Sequence, residues 1–96
     1  MNYLPRPGIV LVSICNMPVL VPLRSAYDAC RQIKRIPIMW AIMWETLEKY
    51  GTLDQFVEIQ QIITKKTPDE IRRKYESVCE ELFTLGFLVK QEDTES

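Results

Sequence analysis

Histidine is absent from the chain, and with it go the usual general base, the commonest zinc ligand and the side chain that titrates near neutral pH. A Ser or Cys triad has no ordinary base, and neither a HExxH, a GxGxxG nor a Walker-type phosphate loop is present. The sequence therefore predicts no enzyme, no metal and no cofactor. The three cysteines, Cys15, Cys30 and Cys79, are odd in number, widely spaced and without a CxxC pair, which speaks against a disulfide framework or a metal knuckle. They are expected to be buried free thiols in a reducing cytoplasm. Long apolar runs are also missing: the longest, Ile36 to Trp44, is about half a membrane span. Met1 to Pro7 has no charged segment leading into an apolar run and a cleavage site. The expectation is a soluble cytoplasmic protein with no membrane segment.

What is present is ordinary for a folded domain. Hydrophobic residues make up 47% and charged residues 26% of the 96 residues, too apolar for a disordered chain. At 11.3 kDa one unit is expected, over residues 1–90, followed by an acidic flexible tail at 91–96. The formal net charge is −1 and the pI ≈ 5.4, which is unfavourable for general nucleic-acid binding. The charge is unevenly spread, with six Lys/Arg against three acids in residues 1–50 and six against ten in residues 51–96.

Ile9 to Ile14 is short and β-branched and reads as a strand, Asn16 and Met17 as a turn, and Val19 to Val21 as the returning strand between Pro18 and Pro22. Ala29 to Ile36 reads as a third strand, although a short helix fits this stretch nearly as well. Pro37 opens a first helix that ends at Gly51. Thr52-Leu53-Asp54-Gln55 and Thr67-Pro68-Asp69-Glu70 both fit the capping box and start the second and third helices, the latter stopping at Gly86. The order β-β-β-α-α-α predicts an α+β, winged-helix-like domain, with a three-stranded antiparallel sheet followed by three helices on one of its faces.

Trp40, Trp44, Met39 and Met43 suit either a core block or a pocket for a ligand, and the thin helical layer favours the core. Glu80 and Glu81 are adjacent on a helix and point apart, so they read as a solvated face. Eight of the twelve Lys/Arg fall in two stretches: Arg31, Lys34 and Arg35 in the third strand, and Lys65, Lys66, Arg72, Arg73 and Lys74 around the start of the third helix. If the two face one another they form a basic groove for nucleic acid or an acidic peptide. The plainer alternative is local pairing, as between Arg72 and Glu76.

Along residues 7–89 the chain resembles the PqqD-like family, the RiPP recognition elements that bind precursor peptides in natural product biosynthesis. The likeness rests on Pro7-Gly8-Ile9-Val10 and Pro18 to Leu23 for the opening hairpin, and on Ile36 followed by Ala41-Ile42-Met43-Trp44-Glu45-Thr46-Leu47. Gly51-Thr52 and the closing Leu82-Phe83-Thr84-Leu85-Gly86-Phe87-Leu88 complete it. Ile36-Pro37 departs from the Leu-Asn usual there. The resemblance implies a non-catalytic peptide chaperone. The leader segment of a ribosomally made precursor would add as a strand beside Cys30, Arg31, Gln32, Ile33, Lys34 and Arg35, and lie against Arg72, Tyr75, Glu76, Cys79 and Phe83. The chemistry would belong to a modifying enzyme such as a radical SAM protein, a cyclodehydratase or a leader peptidase. Pairing of the same edge with a second copy, as a homodimer, stays open. The alternative from the residues themselves is a winged-helix DNA-binding transcriptional regulator with Arg72, Arg73 and Lys74 on its recognition helix.

Overall fold

The computed structural model of the chain describes residues 2–91. Their elements are β1 (Asn2–Pro5), β2 (Ile9–Ile14), β3 (Met17–Pro22), a 3-10 turn (Arg24–Ala26), β4 (Lys34–Arg35), α1 (Ile38–Tyr50), α2 (Asp54–Thr64), α3 (Pro68–Leu85) and β5 (Leu88–Gln91). This is the expected α+β arrangement: an antiparallel sheet in the order β2-β3-β4 with three helices. One addition lies outside that reading, since β1 pairs antiparallel with β5 in a small second sheet. Gln91 thus ends a strand, and the rest of the expected acidic tail lies outside the described residues.

The hairpin follows from its turn. Cys15 and Asn16 have φ of 53° and 65° and form the two-residue link between Ile14 and Met17, the left-handed geometry that suits the twist of paired strands. The amide of Leu23 donates to the carbonyl of Gly8 at 2.7 Å. With the register Ile9↔Pro22 through Ile14↔Met17, this places the β2–β3 hydrogen bonds on Val10, Val12 and Ile14. Pro18 and Pro22 therefore fall between those bonds, with their missing N–H groups on the β4 side.

That placement explains why the third strand is two residues rather than the expected eight (29–36). Toward β4 the bonding positions of β3 are Pro18, Leu20 and Pro22, and only Leu20 has an amide to give. Ile36 donates to the Pro18 carbonyl at 3.1 Å, Lys34 pairs with Leu20, and the ladder stops before Pro22. Residues 31–33 make no backbone-to-backbone hydrogen bond among the described residues.

The core lies between sheet and helices. Trp44, Phe56, Phe87, Leu20, Met43, Leu47, Leu82 and Leu88 are its largest fully buried side chains. Met39 and Trp40 pack against it from the side, so the Met and Trp block is core rather than a ligand pocket. Helix α3 starts with the predicted capping box, in which Thr67 and Glu70 satisfy each other's amides. Helix α2 does not: it starts at Asp54, Leu53 takes the cap position without a side-chain bond, and Thr52 Oγ1 only accepts from the Asp54 amide at 3.3 Å. In α2, Phe56, Val57 and Gln60 face the core, while Ile59, Ile62 and Ile63 are exposed.

Candidate functional site: two open sheet edges

The sheet edges are where this fold leaves backbone groups open to a partner. Strand β4 ends one side of the sheet and β2 the other. At β4, the Lys34 and Ile36 backbones turn inward to β3, so Arg35 turns its N–H and C=O to the open side. Arg31, Gln32 and Arg35 are exposed, and Ile33 is 66% exposed. Lys34 shares the helix-facing side with Leu20. Its ammonium lies 3.8 Å from Glu81 Oε2 and 5.9 Å from the centre of the Trp40 ring. Arg31 meets Asp28 at 3.8 Å and stacks over Tyr27 at 5.6 Å. The edge is thus cationic, with the α3 wall at Glu81 beside it.

Cys30, expected on this edge, is not available to a partner. It is 1% exposed and belongs to the core. The chain is held there by Gly86, where an added Cβ would lie 2.5 Å from the Ala29 carbonyl oxygen and 3.1 Å from the Cys30 Cβ.

The helix residues expected to face the edge do not. Tyr75 is buried edge-on against Phe56, at 4.7 Å between ring centres, and Cys79 is buried 3.8 Å from the Met43 sulfur. Arg72 pairs with Asp54 of α2, not with Glu76. Phe83 lies on the β1 and β5 side, 6.1 Å from the Tyr3 ring and 4.6 Å below the Lys90 ammonium. Arg72 and Glu76 line a depression of about 250 Å³ on that same side, together with Tyr3. The reason is helical periodicity. At 100° per residue, Arg72, Glu76 and Phe83 fall on the flank opposite Glu81, with Tyr75 and Cys79 turned to the core between them. Glu81, absent from the expected set, is the contact that sequence reasoning missed. Its position four residues before Leu85, on the flank shared with Lys74, was the available signal.

The two cation clusters do not converge either. Strand β4 sits by Glu81, and Arg73 lies eight residues earlier, about 12 Å along the helix axis. Lys65, Lys66, Arg73 and Lys74 are exposed near the far end of α3.

The titration of the β1 side is set by burial and by acids. The Tyr3 hydroxyl donates to Glu80, and this bond, more than burial, pushes its pKa up to about 12. Burial pushes the Cys79 thiol up to about 12, with Glu76 and Glu80 adding to it. Such a thiol is not a nucleophile near neutral pH.

At the opposite edge, Leu11 and Ser13 turn their N–H and C=O groups away from β3 and have no backbone partner among the described residues. An open depression of about 250 Å³ separates this edge from α1.

Among the described residues, no three His, Cys, Asp or Glu side chains are grouped to hold a metal, and no helix is long and apolar enough to cross a membrane. No protein-family model, no curated protein and no solved structure matches the chain.

Proposed function

We propose that the protein is a non-catalytic peptide-binding domain. It captures an extended acidic segment, the leader of a ribosomally made precursor peptide, by strand addition along β4 and presents it to a modifying enzyme in the cytoplasm. The observation that carries this reading is the open, cationic β4 edge beside the Glu81 flank of α3. An extended peptide would bond the free backbone of Arg35 and continue along residues 31–33, the generic part of such recognition. Choice of sequence would come from Arg31, Arg35 and the exposed Ile33. Lys34 is already engaged by Glu81 and is a weaker contributor.

The test is an NMR titration of the labelled chain with leader peptides of candidate precursors. Amide shifts concentrated at residues 31–36 and near Glu81 support the reading. Shifts absent with every peptide, but present with duplex DNA at Arg73 and Lys74 and lost with added salt, favour a DNA-binding regulator instead.

A further inference from the structure

The geometry points to a second docking surface on the edge opposite β4: the β2 edge and the adjoining stripe of α1 take an extended segment of a partner protein whose α1-facing side chains, at every second residue, are apolar at one end and basic at the other.

Three features of the surface lead there. The first is that β2 lacks the devices that normally protect an edge. It is six residues long, IVLVSI, with no charge and no proline, whereas open edges are usually blunted by Lys, Pro or a bulge. Leu11 and Ser13 offer their outward groups to an incoming strand.

The second is the wall beside that edge. Ile38, Ile42 and Glu45 of α1 line the depression next to the edge together with Leu11, Val12, Ser13 and Pro18, and Glu48 lines a second one beside Gly8 and Ile9. Ile38 is 63% and Ile42 39% exposed, so an apolar strip lies open next to unpaired backbone. From Ile38 to Glu48 the helix rises about 15 Å, and five residues of a strand span about the same length. Alternate side chains of an added strand would therefore meet Ile38 and Ile42 first, then Glu45 and Glu48.

The third is charge. Glu45 and Glu48 are exposed and make no ion pair among the described residues. The one cation lining these depressions, Arg6, is held by the Gly86 carbonyl, 2.7 Å from its Nε. The wall is acidic and calls for Lys or Arg. A second copy of this chain fits less well. Antiparallel pairing of β2 with itself about Val12 would bring Glu45 of each copy toward Glu48 of the other, a like-charge contact that disfavours the pairing.

The experiment titrates the full labelled chain with two capped ten-residue probes in which threonine alternates with valine in the first half and, in the second half, with lysine in one probe (valine-lysine) and with glutamate in the other (valine-glutamate). The valine-lysine probe is expected to shift the amides of Leu11, Ser13 and residues 38–48, and the valine-glutamate probe is not. Ser13→Pro deletes an outward N–H without touching the β3 ladder, since Ser13 faces Pro18, and should weaken valine-lysine binding about three- to tenfold. Because a proline in β2 could unfold the hairpin, the exposed double variant Glu45→Lys/Glu48→Lys provides an independent arm. It should reverse the preference in favour of the valine-glutamate probe. Valine-lysine binding with no shifts along β2, or unchanged preference in the double variant, overturns the proposal. So do Leu11 and Ser13 shifts that grow with protein concentration in the absence of any probe, which would make a second copy the occupant. Shifts at residues 31–36 belong to the β4 site and leave this question unaffected.

Discussion

Lys34 and Glu81 form the ion pair, 3.8 Å from Nζ to Oε2, that joins the edge strand β4 to helix α3. Both side chains are partly exposed, so the pair contributes little stability, of order 0.2–1 kcal/mol. At the proposed peptide site its effect is expected to be larger, because it occupies the one cation of β4 that faces the helix.

Charge changes at the β4 edge are therefore expected to separate by residue. Arg31→Glu with Arg35→Glu should weaken binding of an acidic peptide about tenfold at low ionic strength. Glu81→Gln should strengthen it about two- to threefold by releasing Lys34. Arg72→Glu should leave affinity unchanged and lower stability by up to about 1 kcal/mol, because it sets a second acid against Asp54 on the far flank. Calorimetric titration with one acidic peptide checks all three, and a loss of affinity in the Arg72 variant would place the binding groove on the β1 side.

Gly86 should tolerate no side chain. Its φ of +97° is in the left-handed region, and an added Cβ would lie 2.5 Å from the backbone oxygen of Ala29, which cannot swing aside. Gly86→Ala is expected to cost about 2–4 kcal/mol in urea unfolding. A cost below about 1 kcal/mol would mean that residues 29–33 are not held against the end of α3.

Alkaline pH should destabilise the fold in a defined window. Tyr3 rises from 10.0 to about 12, first through its bond to Glu80, and Cys79 from 9.0 to about 12, first through burial. Both folded values exceed the unfolded ones, so the folded state favours the protonated forms. Their contribution is complete below about pH 9 and is lost as pH rises toward 12. The urea midpoint should decline across that interval, and Tyr3→Phe should flatten the part above pH 10. A midpoint that rises with pH there contradicts the assignment.

Thiol reactivity should divide the cysteines. Cys30 and Cys79 are buried as expected, but Cys15, at the hairpin turn, is exposed. A thiol-reactive chromophore is expected to label one cysteine quickly in the native protein and all three in denaturant. Rapid native labelling of Cys30 would show that the segment before β4 opens readily.

The helix punctuation was largely legible because it is local, whereas the hairpin turn lies at Cys15 and Asn16, one residue before the expected Asn16 and Met17. The Thr67 to Glu70 capping box and the stops at Gly51 and Gly86 depend only on neighbours in sequence. The length of β4 was not legible from its own residues, because it is set by Pro18 and Pro22 across the sheet. The flank of α3 was lost for a related reason. Arg72, Tyr75, Glu76, Cys79 and Phe83 recur at helical spacing, but spacing alone does not say which flank meets β4, and that is fixed by where Gly86 pins residues 29 and 30. At Thr52 the capping pattern was present, yet the helix began one residue later, with Leu53 buried at the start instead.

The pairing of β1 with β5 also has a practical meaning. Asn2 lies opposite Gln91 in the register, so the first and last described residues sit side by side. A host protein could therefore carry the unit in a surface loop, with junctions at Asn2 and Gln91 that are about one strand spacing apart.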